Sequence, residues 1–211
     1  MKSLKKKAIC GDFRFDVYEE VYEPAEDTFL IADILDQTVA HGETVLDVGT
    51  GCGVLAVVAS KKAEKVVATD VNPHAVKCAR QNARANGVSR KVQVRLGDLF
   101  EPLSGIEKFS LIVFNAPYLP STRDEHRSWK SRAWAGGSTG RKIIDRFIKD
   151  APHHLKTKGR ILLVQSTLSD VEETLRQFHE MDLEARVVAE KKAAFETIVV
   201  VQASHLSKQS V

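Results

Sequence analysis

Short apolar runs alternate with stretches of helical periodicity along most of the chain. Thr44-Val45-Leu46-Asp47-Val48 is long enough for one buried strand, and Leu55 to Lys62 continues as a helix. Lys65-Val66-Val67-Ala68-Thr69 reads as a second strand. Asn72-Pro73 then opens a helix, with Asn as cap and Pro at the first position. It runs to about Asn86-Gly87, where glycine is the expected stop. Val92 to Leu96 alternates in period two, as a half-exposed or edge strand does. Phe109 to Phe114 and Arg160 to Gln165 supply a fourth and a fifth strand, separated by an irregular stretch and a helix around Gly140 to Asp150. A helix near Asp170 to Glu180 and strands near Ala185 to Ala189 and Thr197 to Val201 complete the pattern. The alternation predicts an α/β fold: a single doubly wound, mostly parallel sheet of seven strands with a Rossmann-like arrangement of helices. Residues 1–36 are expected as an added strand or turn plus a helix, packed on a domain spanning 37–211.

Composition narrows the class. The 211 residues are 43% hydrophobic and 28% charged, which suits one globular domain and excludes a collagen, a disulfide scaffold or a disordered tail protein. No apolar run reaches the roughly 18 residues of a membrane span, and the basic Met1 to Lys7 stretch is not followed by the apolar core of a signal peptide. Cys10, Cys52 and Cys78 are odd in number and lack Cys-x-x-Cys spacing, which fits reduced thiols and a cytoplasmic location. His126, His153 and His154 have no ligand-like companions, so no metal site is expected. Ser166 lacks the setting of a hydrolase nucleophile.

The candidate chemistry collects after the strands. Leu46-Asp47-Val48-Gly49-Thr50-Gly51-Cys52-Gly53 is a strand, a glycine turn and a helix start. A dinucleotide fingerprint places its third glycine at position 54, where this chain has Val54, so a pyrophosphate ligand is disfavoured. Alone, such a turn is either a ligand cradle or a plain turn. The second strand ends at Asp70, next to Val71; a carboxylate there either accepts from two ribose hydroxyls or caps the next helix. Gly97-Asp98-Leu99 follows the third strand, as a further ligand loop or an Asx turn. All three loops fall at the carboxyl edge of the sheet, and together they resemble the S-adenosylmethionine pocket of class I methyltransferases.

The fourth strand runs into Asn115-Ala116-Pro117-Tyr118. This resembles the Asn-Pro-Pro-Tyr motif of enzymes that methylate planar nitrogens, with Ala116 where proline is more usual. The lone pair of such a nitrogen is delocalised. By resemblance, the Asn115 side-chain carbonyl and the Ala116 main-chain carbonyl accept its two N–H groups, Pro117 stiffens the turn and Tyr118 packs on the planar group. The bland alternative is a proline turn after a strand.

Two further stretches, Tyr22-Glu23-Pro24-Ala25-Glu26-Asp27-Thr28 and Ala133-Trp134-Ala135-Gly136-Gly137, look like those of eukaryotic and archaeal HemK-like methyltransferases. That family methylates the Gly-Gly-Gln glutamine of class I translation termination factors. The resemblance extends from about Tyr22 to Val201. It implies that Tyr22, the Pro24-Ala25-Glu26-Asp27 stretch and Thr28 close over the cofactor and that Asp47, Gly49, Thr50, Gly51 and Gly53 line its methionine side. Asp70 and Val71 would hold the ribose and Asp98 and Leu99 the adenine, while Asn115, Tyr118 and Trp134 meet the substrate. It also implies a small zinc-binding activator protein along the exposed edge strand Val92 to Leu96. Lys91 and Arg95 are equally the kind of charges that guard a monomer's edge. On the residues alone, Pro24 to Thr28 is a helix start with acids in its first turn, and Trp129 and Trp134 are core or partner anchors.

Other acceptors remain open: an adenine amino group in DNA or RNA, or a protein lysine. A base in a duplex has to be flipped out, and no target-recognition domain is visible, so direct nucleic-acid binding is not expected. A nucleotide-binding module without catalysis is disfavoured by Val54 and the Asn115 turn. The whole chain carries a net charge of +3, yet Leu119 to Lys142 alone reaches +4, with Arg123, Arg127, Lys130, Arg132, Arg141 and Lys142 against Asp124 and Glu125. That stretch is either a solvated loop or a docking face for an acidic or ribosome-associated substrate.

Overall fold

The computed structural model describes residues 6–122 and 128–205. A hairpin comes first, β1 (Lys6–Cys10) and β2 (Phe13–Val17), then α1 (Glu26–Thr38). The main domain follows as β3 (Thr44–Val48), α2 (Val54–Ala59), β4 (Lys65–Asp70), α3 (Pro73–Ala85), β5 (Val92–Leu96) and β6 (Phe109–Asn115). It continues with α4 (Trp129–Arg132), α5 (Lys142–Asp150), β7 (Leu155–Ser166), α6 (Val171–Glu180), β8 (Leu183–Lys192) and β9 (Thr197–His205). The seven-stranded sheet has the order β5-β4-β3-β6-β7-β9-β8. β9 runs antiparallel to both of its neighbours, and the other pairings are parallel. The strand order reverses between β3 and β6, which opens a crevice at their carboxyl ends.

The continuous apolar runs are explained by cover on both faces. Val45, Leu46, Val66, Val67, Leu111, Ile112 and Leu162 are all fully buried. α3 starts as its sequence predicts, with the Asn72 side chain accepting from the His74 N–H at 2.9 Å and Pro73 in the first turn. Asn82 on α3 fastens the amino-terminal hairpin to the domain. Its Nδ2 donates to the Asp16 and Cys52 carbonyls, both at 2.8 Å, and its Oδ1 accepts from the Asp16 N–H at 2.9 Å.

Several boundaries differ from the sequence pattern. The fifth strand begins at Leu155 because Leu155 pairs with Phe109 ahead of a bulge. The helix expected from Gly140 starts at Lys142, because Gly140 has φ +75° and Arg141 caps the helix. Val92–Leu96 is an edge strand, but its cations do not guard that edge. Lys91 Nζ donates inward to the Ser60 and Ala63 carbonyls, and Arg95 pairs with Glu107 at 2.7 Å. Among the described residues, no helix is long and apolar enough to cross a membrane.

Candidate active site

The turn after β3 depends on glycine. Gly49, Gly51 and Gly53 have φ of +65°, +57° and +93°. A side chain at Gly53 would put a Cβ 3.1 Å from the Ala79 Cβ, so this glycine lets α2 start hard against α3. Asp47 is fully buried beneath the turn. Its Oδ2 accepts from the Thr50 hydroxyl at 2.6 Å and the Ala56 N–H at 3.0 Å, while its Oδ1 has no partner. Burial pushes this carboxyl up to about 7, against the pull of those two donors. Asp47 and Gly53 shape the turn and do not line the cleft, whereas Gly49, Thr50 and Gly51 do.

Asp70 ends β4 facing that turn. Its Oδ2 accepts from the Gly51 N–H and its Oδ1 from the Asn72 N–H, each at 2.8 Å. Burial raises its pKa, and the two N–H donors oppose the shift. One carboxylate thus fixes the glycine turn and the start of α3, with lone pairs to spare for ribose hydroxyls. Val71 and Leu99 continue the wall. Leu99 has φ +48°, unusual for leucine, and its carbonyl accepts from the Thr69 hydroxyl at 3.0 Å. Asp98 also lines the cleft, where it pairs with Arg146 from α5 at 2.7 Å. Arg146 belongs to the Asp145-Arg146-Phe147 stretch that shares the family resemblance, but nothing in the sequence ties it to Asp98.

The Asn115–Tyr118 turn is braced by the Trp-Ala-Gly-Gly stretch through main-chain contacts. Leu119 and Ala135 form a parallel bridge, the Leu119 N–H donating to the Trp134 carbonyl at 3.0 Å and the Gly136 N–H to the Leu119 carbonyl at 2.8 Å. The Ser121 N–H donates to the Gly137 carbonyl at 2.8 Å. Gly140 approaches so closely that a Cβ there would stand 2.3 Å from the Tyr118 carbonyl oxygen. The paired glycines therefore let two loops lie backbone to backbone. Asn115, Ala116, Pro117, Tyr118 and Trp134 all reach the cleft.

Asn115 is tied to the start of α1. Its Nδ2 donates to Asp27 Oδ2 at 3.1 Å and to the Thr28 hydroxyl at 3.3 Å. Its Oδ1 is buried without a partner. Asp27 also accepts from the Tyr22 hydroxyl at 3.2 Å, the Tyr118 hydroxyl at 3.4 Å and the Thr28 N–H at 2.6 Å. Burial and the neighbouring Asp27 carboxylate both push the two phenols up, and the Glu196 carboxylate on the β8–β9 turn adds to that. Tyr22, Pro24 and Thr28 line the cleft. Glu26 does not: it is exposed and pairs with Lys191 at 3.1 Å. Successive helical residues point about 100° apart, so Glu26 and Asp27 cannot both face inward. Asp27 is the inward one, and the spacing Asp27–Ile31–Leu35 along the buried stripe of α1 is the signal that marks it.

The basic stretch behaves unevenly. Arg123, Asp124, Glu125, His126 and Arg127 lie outside the described residues. Arg141 is withdrawn from any docking face, being buried and donating to the Ser169 and Asp170 carbonyls, both at 2.6 Å. Arg132 sits over the Trp129 ring, 4.8 Å from its centroid, and both line the cleft, as does Lys142.

The whole cleft encloses about 480 Å³ at the strand reversal, the size and place of a small-molecule site in such folds. A family model described as ribosomal protein L11 methyltransferase matches residues 26–116. A putative protein N5-glutamine methyltransferase of Methanocaldococcus jannaschii is 38% identical over 195 residues, covering 92% of this chain and 96% of its own. The chain belongs to the HemK-like glutamine methyltransferase family. The family member methyltransferase HEMK2 of Homo sapiens is 36% identical over 194 residues, 88% of this chain and 90% of its own. A HemK-like solved structure, the E. cuniculi Mtq2–Trm112 complex described as methylating the eRF1 translation termination factor, aligns with a TM-score of 0.66 and 28% identity. That alignment covers 89% of this chain and 99% of the other.

HemK-like enzymes use S-adenosylmethionine, and this cleft fits it. The half-buried Asp70 carboxylate suits the hydroxyls of a nucleoside, and the acidic Asp27–Asn115 end suits a cationic sulfonium.

Proposed function

We propose that the protein transfers a methyl group from S-adenosylmethionine to the side-chain amide nitrogen of a glutamine in a class I translation termination factor. One observation carries the acceptor assignment: the buried, unpartnered Asn115 Oδ1, on an amide whose nitrogen is already engaged by Asp27 and Thr28. A buried acceptor left open costs about 1–3 kcal/mol, and an incoming N–H relieves it. The names of the relatives agree with the reading, as does the termination-factor substrate given for Mtq2–Trm112.

The bound cofactor supplies a methyl already activated by positive sulfur, so the residues of the chain supply position and electrostatics. Asn115 Oδ1 and the Ala116 carbonyl accept the two amide N–H bonds. Both interactions strengthen as the nitrogen gains positive charge in attacking the methyl. Tyr118 packs on the planar amide, Trp134 lines the same cleft, and the proton leaves to solvent after transfer. No strong base is required.

A second protein is part of the proposal. The Mtq2–Trm112 structure is a two-protein complex. Here the edge strand β5 ends in Leu96, 55% exposed, near Val71, 50% exposed. A small zinc-binding activator pairing along Val92–Leu96 would cover them. The same reading places the protein in the cytoplasm, where translation factors are made.

The direct test mixes the protein with labelled S-adenosylmethionine, a termination factor and RNA, with and without an activator. Label in the termination factor, lost with Asn115→Ala while cofactor affinity stays within severalfold, is expected. Label in RNA, or full activity of Asn115→Ala, contradicts the proposal.

A further inference from the structure

We infer that Asp27 is a positioning residue that sets which way the Asn115 amide faces, and so makes this site selective for an acceptor that donates N–H bonds. The inference rests on the glutamine reading above and adds a residue that the motif at positions 115–118 does not contain.

The side-chain amide of asparagine is nearly symmetric in shape but opposite in chemistry at its two ends. In either orientation it fills the same space, so packing alone does not choose. The choice falls to hydrogen bonding. Asp27 presents Oδ2 to Asn115, and a carboxylate has no hydrogen to give. Turning the amide over would bring two acceptor oxygens face to face in a buried site. Thr28 supports the same orientation, since its hydroxyl lies 3.3 Å from both Asn115 Nδ2 and Asp27 Oδ1 and can accept from one while donating to the other.

Asp27 is itself held rigidly. It is 5% exposed, and its Oδ1 takes the Thr28 N–H at 2.6 Å, one of the free donors of the first turn of α1. The Tyr22 and Tyr118 hydroxyls donate to its oxygens as well. The Thr28 N–H and both phenol hydroxyls thus donate to Asp27, and Asn115 can offer it only nitrogen. The leftover Oδ1 becomes the fixed acceptor for the substrate. Tyr118 joins the same carboxylate, so the amide and the aromatic face of the acceptor site are set by one group on α1.

The test is an exchange of the pair. Asp27→Asn keeps the shape but lets the Asn115 amide turn over and removes the charge facing the sulfonium; kcat should fall about 10²-fold at saturating cofactor and acceptor. Asn115→Asp alone sets two carboxylates together and should be at least as impaired. The double variant Asp27→Asn/Asn115→Asp restores a donor facing a carboxylate and leaves one carboxylate oxygen for the substrate. It should recover at least tenfold over either single variant. A double variant no better than the singles, or Asp27→Asn with wild-type kcat, overturns the inference. A second readout needs no turnover: in amide-detected NMR, the Asn115 side-chain NH2 pair should shift on Asp27→Asn, and an unmoved pair overturns the inference too. Absence of glutamine methylation by the wild-type protein instead refutes the function, and the NMR arm still decides the orientation.

Discussion

Gly140→Ala is the substitution whose consequences the structure specifies most fully. The new Cβ would lie 2.3 Å from the Tyr118 carbonyl oxygen, 3.2 Å from the Tyr118 carbonyl carbon and 3.0 Å from the Ser169 Cβ. Ordinary contact requires roughly 1 Å more, and the obstacle is backbone, so the Asn115–Tyr118 turn has to retreat. The residue also sits at φ +75°, which costs a non-glycine about 1–2 kcal/mol. Overpacking adds about 1–3 kcal/mol, for a total of roughly 2–5 kcal/mol. A displacement near 1 Å at the reacting groups is worth about 10²-fold in rate. Gly137→Ala is the matched control: its φ is +80°, but its Cβ would lie 3.1 Å from the Lys142 Cβ, a contact relieved by a shift of a few tenths of an ångström. Urea unfolding should show a loss of about 2–5 kcal/mol for Gly140→Ala and about 1–2 kcal/mol for Gly137→Ala. Steady-state kinetics on folded protein should show kcat down about 10²-fold in the first and within about threefold in the second. Equal kcat in the two variants would falsify the claim that the close approach of Gly140 sets the position of the Tyr118 backbone.

Three further outcomes follow from the same geometry. Asp70→Ala removes the proposed charged partner of the ribose hydroxyls and the acceptor of the Gly51 N–H, so calorimetry should show cofactor binding weakened by ~1.5–3 kcal/mol; unchanged affinity contradicts the ribose assignment. Asp47 goes from 3.8 in its ordinary state to about 7 when buried, so the folded form binds its proton more tightly than the unfolded chain. Relative to Asp47→Asn, the wild-type protein should therefore lose up to about 4 kcal/mol as pH rises from about 4 to about 7, and then stay level; parallel stability curves would remove the case for a buried carboxyl. Charge reversal at Lys130 and Arg127 should raise acceptor KM and leave cofactor affinity unchanged, whereas an unaltered KM makes the basic stretch an ordinary solvated loop.

The sheet was legible because both its faces are covered: runs such as Val45-Leu46 and Val66-Val67 have nowhere to go but a core. The glycine turn and Asn115 were legible because each stands at a strand end, where the period breaks and the residue type changes. What escaped depends on contacts between segments far apart in the chain. Glu26 and Asp27 are equivalent as first-turn acids of a helix, and only the phase of α1, running through Ile31 and Leu35, tells which one reaches Asn115 eighty-eight residues away. The Pro24–Thr28 stretch is both a helix start and part of the site, because the carboxylate that satisfies the Thr28 N–H also accepts from Asn115. Asp47 belongs to the glycine motif, but its side chain turns under the loop and away from the cleft. Arg141 counted as surface charge in the sequence, yet its guanidinium is used up by the carbonyls ahead of α6. Glu196 sits in a segment with no motif, and only the fold brings it near the tyrosines and Arg146 to the cleft wall.

Mass spectrometry of the methylated acceptor is the most direct measurement. After reaction with a class I termination factor, with the activator present, tandem fragmentation should place one added methyl on the side-chain amide of a single glutamine, and Asn115→Ala should yield none. A methyl on lysine, on the main chain or on a nucleobase, or an unmodified factor under conditions where the cofactor is bound, contradicts an Asn115 site built for a glutamine amide.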